Sequence, residues 1–215
     1  MSESIQYAQG ENICIRSLSP VVLTAVLDIP PISARLNADW ERDMASQLCL
    51  KVGDVEKLSL ARARQRWPEF NPCIHAITSW TLSMGLQDAL SSADMALMAC
   101  RGARYHNDVE LYGSSAFCNL FLSEDKGLDL HFPDLGLRMP LNRGTAVIFD
   151  TGQTHAVIKR NSHSFDASDF PQDSDCSLVF LTWELLIEHP AVAHALQIRF
   201  TPQTFIQQSH SSPNS

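Results

Sequence analysis

The sequence predicts an α+β protein in which helices in the front half support a β-sandwich or jelly roll in the back half. Between about residues 38 and 93, apolar side chains recur at helical spacing. From about residue 95 to about 187, the pattern changes to short apolar segments, about ten residues apart, with turn sequences between them. The chain has 215 residues, of which 45% are apolar and 19% charged, so it is long enough for one globular domain with a substantial core.

The front half contains two short apolar segments and three segments with helical character. NICIRSLS and VVLTAVL are typical of strands, and DIPPIS then interrupts the chain. ADWERDMASQLCL has Asp39 near its start, and DVEKLSLARARQRW has Asp54 in the position of an N-cap. PCIHAITSWTLSMGLQDALSSA carries Pro72 in its first turn, where proline is favoured. We therefore expect three helices in front of the β-rich region.

The back half contains seven apolar segments separated by turn sequences. The segments are MALMACRG, SSAFCNLFLS, GLDLHFP, LGLRMPL, GTAVIFDTG, THAVIKR and CSLVFLTWELLI. The turns between them include GSS, EDKG, PDLG, NRG and DTGQ. We expect each segment to be a strand, and seven or eight strands behind a helical region favour the jelly roll.

The chain shows no linker and no repeat, so we expect a single domain over residues 11–200. Residues 1–10 are polar, and we expect them to be flexible. Residues 206–215 are poor in apolar side chains, and we expect a disordered tail there.

Composition excludes several classes of partner. The net charge is −8, and the basic cluster ARARQRW is expected on the solvated side of a helix, so we expect no nucleic-acid partner. No apolar run approaches the length of a membrane helix, and the N-terminus lacks the pattern of a signal peptide. The six cysteines are scattered without a C-x-x-C pair, which favours buried thiols in a reducing cytoplasm. The oligomeric state is left open.

One short motif suggests a metal site. RYHNDVE, residues 104–110, places His106 and Asp108 one residue apart, although both types are also common in turns. TGQTHAVI places His155 after the turn DTGQ, 49 residues later (155 − 106), with room for about four strands between. A jelly roll brings strand ends from both sheets together, and two imidazoles with one carboxylate form the facial triad of non-haem Fe(II) oxygenases.

The order of these pieces resembles the 2-oxoglutarate- and Fe(II)-dependent dioxygenase superfamily, in its prolyl-4-hydroxylase-like branch. The resemblance covers roughly residues 95–187 and rests on YHND, SAFCNLFLSEDKGLDLHF, PLNRGTAVIFD, the later histidine and SLVFLTW. It implies a double-stranded β-helix with N-terminal supporting helices, and iron ligation by His106, Asp108 and His155. It also implies that Fe(II), 2-oxoglutarate and O2 are used to hydroxylate or otherwise oxidise a C–H bond.

The sequence departs from the family at the residue that binds the co-substrate. The family carries an arginine or lysine on the last core strand, where this cation pairs with the distal carboxylate of 2-oxoglutarate. When SLVFLTW is aligned with that strand by Trp183, Ser177 stands in the position of the cation. Lys159 has the parity of His155 along its strand, whereas Arg160 has the fork geometry that suits a carboxylate. We therefore keep both as candidate cations, and Asn119 as a candidate hydrogen-bond partner of the co-substrate.

The substrate is less defined than the metal site. His131 lies on a strand expected to flank the site, and Arg104 directly precedes the metal motif, so both are candidate substrate contacts. A chain of this length without an added recognition domain favours a small-molecule substrate. Three hypotheses remain open: a 2-oxoglutarate-dependent oxygenase, an Fe(II) oxygenase that does not use 2-oxoglutarate, and a non-catalytic jelly-roll binding module.

Overall fold

The computed structural model describes residues 4–9, 12–45, 50–171 and 173–201. The first part of the chain forms a hairpin, two further strands and four helices. These elements are β1 (Ser4–Gln9), β2 (Asn12–Ser17), β3 (Leu23–Val26), α1 (Ala34–Asp43), β4 (Val55–Leu58), α2 (Leu60–Arg64), α3 (Phe70–Ser83) and α4 (Gln87–Ser91). None of the described helices is long and apolar enough to cross a membrane.

The second part of the chain is mostly strands, as the change of period predicts. Its elements are β5 (Asp94–Cys100), β6 (Ala103–His106), α5 (Val109–Tyr112), β7 (Ser115–Phe121), β8 (Leu128–Phe132), β9 (Leu137–Pro140), β10 (Thr145–Asp150), β11 (His155–Lys159), β12 (Leu178–Leu186) and α6 (Pro190–Ala195). All seven apolar segments of the back half are confirmed as strands, and β6 is the additional strand that carries the metal motif.

The sheet order defines a double-stranded β-helix. The major sheet has the order β3-β10-β7-β12-β5-β4, and the minor sheet has the order β6-β11-β8-β9, with antiparallel neighbours throughout. From β5 to β12 the chain crosses repeatedly between the two sheets, and the first and last of these strands pair with each other. The predicted fold class is confirmed by this order, with β3 and β4 added at the two edges of the major sheet.

Strand alternation creates two separate cores. On β7, Phe121 points between the sheets, where it joins Phe132, Phe149 and other apolar side chains. The alternate side chains of the same strand, such as Leu120, pack on the other face of the major sheet with Trp40 and other residues of the helices. The expected supporting helices are therefore confirmed, and they pack on the face of the major sheet that points away from the minor sheet.

The structure differs from the sequence-based expectations in the front half. VEKL, expected at the start of a helix, is the edge strand β4, because pairing with β5 buries Leu58 against the core. The long third helix is divided into α3 and α4 at Gly85, whose φ of +72° ends the first of them. Residues 4–9, expected to be flexible, pair with β2 and bury Tyr7. The expected tail at 206–215 lies outside the described residues.

The described cysteines agree with the expectation of buried thiols. Cys73, Cys100, Cys118 and Cys176 are buried and form no disulfide. Burial raises the pKa of the Cys100 thiol to about 12, so this side chain stays protonated and packs as an apolar group.

Candidate metal centre

Strand pairing brings the three predicted ligands together. His106 is the last residue of β6, and His155 is the first residue of β11, its direct partner across the antiparallel pair. Asp108 follows at the start of α5, and its backbone N–H donates to the carbonyl of Thr151, 2.8 Å away. The imidazole rings lie 4.4 Å apart between centroids. Residues 49 positions apart in sequence thus lie at one end of the sandwich.

The donor atoms point toward a common centre. One carboxylate oxygen of Asp108 lies 3.7 Å from Nε2 of His106, and the other lies 3.7 Å from Nε2 of His155. One donor atom from each residue can be chosen so that all three lie within 4.8 Å of one another. Adjacent donors around a metal with bonds of about 2.1 Å lie about 3 Å apart, so a small side-chain adjustment closes the three into one coordination sphere. Two imidazoles and one carboxylate are also the donor set that suits Fe(II) with open positions.

Backbone carbonyls fix the tautomer of both histidines. The Nδ1 of His106 lies 2.7 Å from the carbonyl oxygen of Arg104, and the Nδ1 of His155 lies 3.0 Å from that of Gln153. Because a carbonyl oxygen can only accept, Nδ1 carries the proton in each ring. The unprotonated Nε2 atoms therefore face the carboxylate, as in metal sites where an outer partner orients the ligand.

Burial sets the charge state of the ligands in the metal-free protein. It lowers the pKa of His155 to about 4, and the neighbouring His106 contributes in the same direction. Burial also raises the pKa of the Asp108 carboxyl above its ordinary value, and His106 partly opposes this. His155 is therefore neutral near pH 7. Its Nε2 already has a free lone pair, so the ring loses no proton when it binds a cation.

Aromatic side chains form the inner wall behind the triad. The ring of Phe149 lies 4.8 Å from that of His155, and the ring of Phe132 lies 5.9 Å from it. Phe117 contacts Phe149 and Tyr112, which continues the wall toward α5. These rings surround the inner side of His155 with apolar atoms, and a less polar surrounding strengthens electrostatic interactions there.

Several residues around the triad were missed by the sequence analysis. Arg16 and Asp150 form a buried ion pair beside it, and Thr151 and Gln153 bond to the ligand segments. A partial signal was present, since DTGQ precedes His155 and an arginine interrupts the apolar strand NICIRS. Arg16 and Asp150 are 134 residues apart, so their pairing is not visible in any local sequence pattern.

The two candidate cations at the end of β11, Lys159 and the following Arg160, have different surroundings. Arg160 donates from Nε to Asp129 and from both terminal nitrogens to Asp125, so its guanidinium is engaged. Lys159 pairs in register with Leu128, an inward-facing residue of the inter-sheet core, and is itself half-buried. Within the described ranges, its ammonium group has no ion pair or hydrogen bond.

Asn119 lies inside the sandwich and lacks a partner on one atom. It is 7% exposed, and its Oδ1 accepts no hydrogen bond from the described part of the chain. Its cross-strand neighbours are Val147 on β10 and Thr182 on β12, and Thr182 is also buried. Ser177 precedes β12 and lines a cavity of about 820 Å³ that lies between α1 and the loop after β7.

The candidate substrate contacts already have protein partners. The Nδ1 of His131 lies 2.7 Å from the hydroxyl of Tyr105, and its register partners place it on the outer face of the minor sheet. The guanidinium of Arg104 donates to Asp54 at 2.8 Å and to the carbonyl of Val52. What Arg104 gives to the triad is its backbone carbonyl, which orients His106.

Comparison with known proteins adds solved structures of low similarity. No protein-family model and no curated protein matches the chain. A prolyl-4-hydroxylase from Pseudomonas putida is 15% identical, with 77% of this chain and 92% of that chain covered, at a TM-score of 0.45. A viral collagen prolyl hydroxylase from Paramecium Bursaria Chlorella virus-1, in a 2OG complex, is 12% identical over 74% and 95% of the two chains, at a TM-score of 0.38. A cupin domain from Bordetella pertussis is 18% identical, with 43% of this chain and 80% of that chain covered, at a TM-score of 0.28. All three TM-scores are below 0.5, so the fold and the site rest on this chain's own sheet order and side chains.

Proposed function

We propose that this protein is a non-haem Fe(II) oxygenase that uses 2-oxoglutarate and O2 to oxidise a C–H bond of a small molecule. The observation that carries the proposal is the convergence of His106, Asp108 and His155 at one end of a double-stranded β-helix. Two imidazoles and one carboxylate leave three positions of an octahedral metal open, which a bidentate co-substrate and dioxygen can occupy. The location in the cytoplasm and the absence of a nucleic-acid partner stay predictions from composition.

Iron in this triad would supply the activation of dioxygen, and the protein supplies ligands, orientation and a dry surrounding. The carbonyls of Arg104 and Gln153 hold the two imidazoles with Nε2 toward the metal position. The low pKa of His155 keeps that ligand neutral and ready to bind. Phe149 and Phe132 restrict water behind it.

For the co-substrate we propose Lys159 as the cation that pairs with the distal carboxylate. It lies four residues beyond His155 on the same inward face of β11, a separation of roughly 13 Å along the strand that a lysine side chain partly spans. Its ammonium group has no partner within the described residues, whereas Arg160 is held by two aspartates. Asn119, which is buried between the sheets, would donate to the same ligand from its amide Nδ2–H, because 2-oxoglutarate offers only acceptor oxygens.

The proposal is tested by an anaerobic titration with Fe(II) and then 2-oxoglutarate. A weak visible charge-transfer band that depends on both, and that is lost in His155→Ala, would support iron bound by the triad and chelated by the 2-oxo acid. Iron binding without this band would contradict the use of 2-oxoglutarate. If the protein bound no iron at all, the proposal of an Fe(II) oxygenase would be contradicted, and a non-catalytic jelly-roll binding module would be favoured.

A second candidate function is an Fe(II) oxygenase that does not use 2-oxoglutarate. It is favoured by one observation, namely that β12 carries no lysine or arginine between Leu178 and Leu186. Succinate formed in equal amount to oxidised substrate would exclude this candidate. Substrate oxidation without succinate would establish it.

A further inference from the structure

A fully buried ion pair connects the two chain segments that carry Asp108 and His155. Arg16 on β2 and Asp150 at the end of β10 are both 0% exposed. Their side chains meet in the two-pronged geometry of a guanidinium and a carboxylate, with two N–O distances of 2.6 Å. Both charges are thus removed from water and neutralise each other.

Each partner of the pair also bonds to a segment that carries a metal ligand. The Nε of Arg16 donates to the carbonyl of Gly113, which ends the short helix α5 that begins after Asp108. The carboxylate of Asp150 accepts from the backbone N–H groups of Ser19 and Gly152, and so shapes the turn that leads to β11. The guanidinium therefore bonds to both chain segments that lead to the candidate ligands, although it is not itself a ligand.

Further hydrogen bonds connect the turn to the ligands directly. Gln153 donates from its backbone N–H to the carbonyl of Asp150, and its own carbonyl orients His155. Thr151 accepts from the backbone N–H of Asp108, and its hydroxyl lies 2.7 Å from the carbonyl of Tyr112. The ion pair, the turn at 150–155 and the segment at 108–113 thus form one continuous network.

We propose that Arg16 is a positioning residue which, through Asp150, fixes the segments of Asp108 and His155 at the separation that metal binding needs. This inference rests on the proposed metal site. Two charges buried in a protein can often be replaced by apolar side chains without loss of stability, so stability alone does not require the pair. What an apolar pair does not reproduce is the set of directed bonds to Gly113 and Gly152. The N-terminal hairpin is then part of the metal centre.

The test separates positioning from stability with a double variant. Arg16→Met with Asp150→Leu replaces the charged pair by an apolar one, and Arg16→Lys keeps the charge without the two-pronged geometry. Arg138→Met is the matched control, because Arg138 bonds Asp129 and three carbonyls on the outer face of the minor sheet. For each full-length protein, the denaturation midpoint, the affinity for Co(II) and the visible Co(II) spectrum are measured. His155→Ala identifies the signal of the triad.

We expect the double variant to keep a cooperative unfolding transition and to bind Co(II) about 10- to 100-fold more weakly, with an altered spectrum. We expect Arg16→Lys to be weakened in the same direction, and Arg138→Met to bind as the wild type does. Wild-type affinity and spectrum in the double variant and in Arg16→Lys would overturn the positioning role while leaving the metal site intact. If the wild type itself shows no Co(II) signal that depends on His155, the proposed metal function fails, and the positioning role fails with it. If the double variant does not fold, the affinity and the spectrum of Arg16→Lys decide.

Discussion

Two strands that enclose the space between the sheets, β11 and β12, present different chemistry to it. The inward face of β11 carries the candidate ligand His155, the apolar Val157 and the cation Lys159. On β12, Phe180 packs in the inter-sheet core, and Thr182 lies opposite Asn119. One strand thus offers both a candidate metal ligand and a positive charge, and the other offers only neutral groups.

This difference divides the candidate site into two parts that mutation can separate. The candidate metal triad lies at the end of β6, at the start of β11 and at the start of α5. Co-substrate binding, in our proposal, depends on Lys159 farther along β11 and on the neutral amide of Asn119 in the major sheet. A carboxylate pairs more strongly with a cation than with neutral donors, so Lys159 carries most of the second part.

The largest expected effect is the loss of metal binding on removal of a ligand. We expect His155→Ala and Asp108→Ala each to weaken Fe(II) or Co(II) binding by more than about 100-fold, because loss of an outer partner alone commonly costs 10- to 100-fold. The measurement is metal titration of the pure protein under anaerobic conditions. His131→Ala is the matched histidine control on the outer face of the same sheet, and we expect wild-type affinity. Equal losses in all three variants would contradict a specific triad.

The second prediction is that the metal-free protein loses stability as the pH falls, because His155 is buried. Its pKa is lowered from 6.5 to about 4 by burial, so between these values the unfolded chain binds a proton that the folded protein does not. Stability from this histidine is therefore complete above pH 6.5 and is lost as the pH falls toward 4, by about 3 kcal/mol in total.

Chemical denaturation of the metal-free wild type and of His155→Gln, at several values between pH 7 and pH 4, measures this loss. We expect the two free energies of unfolding to converge or cross as the pH falls, because only the wild type must protonate a buried imidazole. A constant difference over this range would show that His155 keeps an ordinary pKa and is not enclosed as the structure places it.

The third prediction separates the two parts of the site. We expect Lys159→Ala to weaken 2-oxoglutarate binding to the iron-loaded protein by about 10- to 100-fold and to leave iron binding unchanged, because a hydrogen bond to a charged group contributes about 1.5–3 kcal/mol. Arg160→Ala is the neighbouring control, since its guanidinium is engaged by Asp125 and Asp129. For each variant, the intensity of the charge-transfer band against 2-oxoglutarate concentration gives the affinity for 2-oxoglutarate, and a separate metal titration gives the affinity for iron. A larger loss in the Arg160 variant would assign the anchor to the arginine.

Local patterns in the sequence were sufficient for the strands and for choosing three candidate ligands that the fold brings together. The alternation and turn sequences of the back half predict each strand, and a histidine at a strand start is visible in TGQTHAVI. The His106-x-Asp108 spacing gains its meaning only with His155, and the jelly roll supplies the reason why they meet. The sheet register, with His155 directly opposite His106, bears out that reasoning.

Interactions between distant segments decided what the sequence could not predict. VEKL looks helical beside LARARQRW, yet pairing with β5 makes it a strand. Tyr7 gains its burial from elements far along the chain, so the polar start of the sequence looked flexible. Arg16 and Asp150 are 134 residues apart, and only the fold shows that they form one ion pair.

The smallest expected effect is that of replacing Asn119, the neutral candidate partner of 2-oxoglutarate, in contrast to the cation Lys159. Asn119 keeps a buried Oδ1 without a partner among the described residues, and such a group costs folding free energy of about 1–3 kcal/mol. We therefore expect Asn119→Leu to raise the free energy of unfolding of the ligand-free protein by about 1 kcal/mol and to weaken 2-oxoglutarate binding by only about fivefold. Denaturation midpoints and the charge-transfer titration measure the two effects, and Thr182→Val on β12 is the cross-strand control. A variant that is less stable and binds 2-oxoglutarate normally would show that Asn119 serves the fold. A gain in stability together with weaker binding would show that Asn119 serves the ligand rather than the fold, because the Nδ2–H groups that leucine lacks are the donors that the acceptor oxygens of 2-oxoglutarate can use.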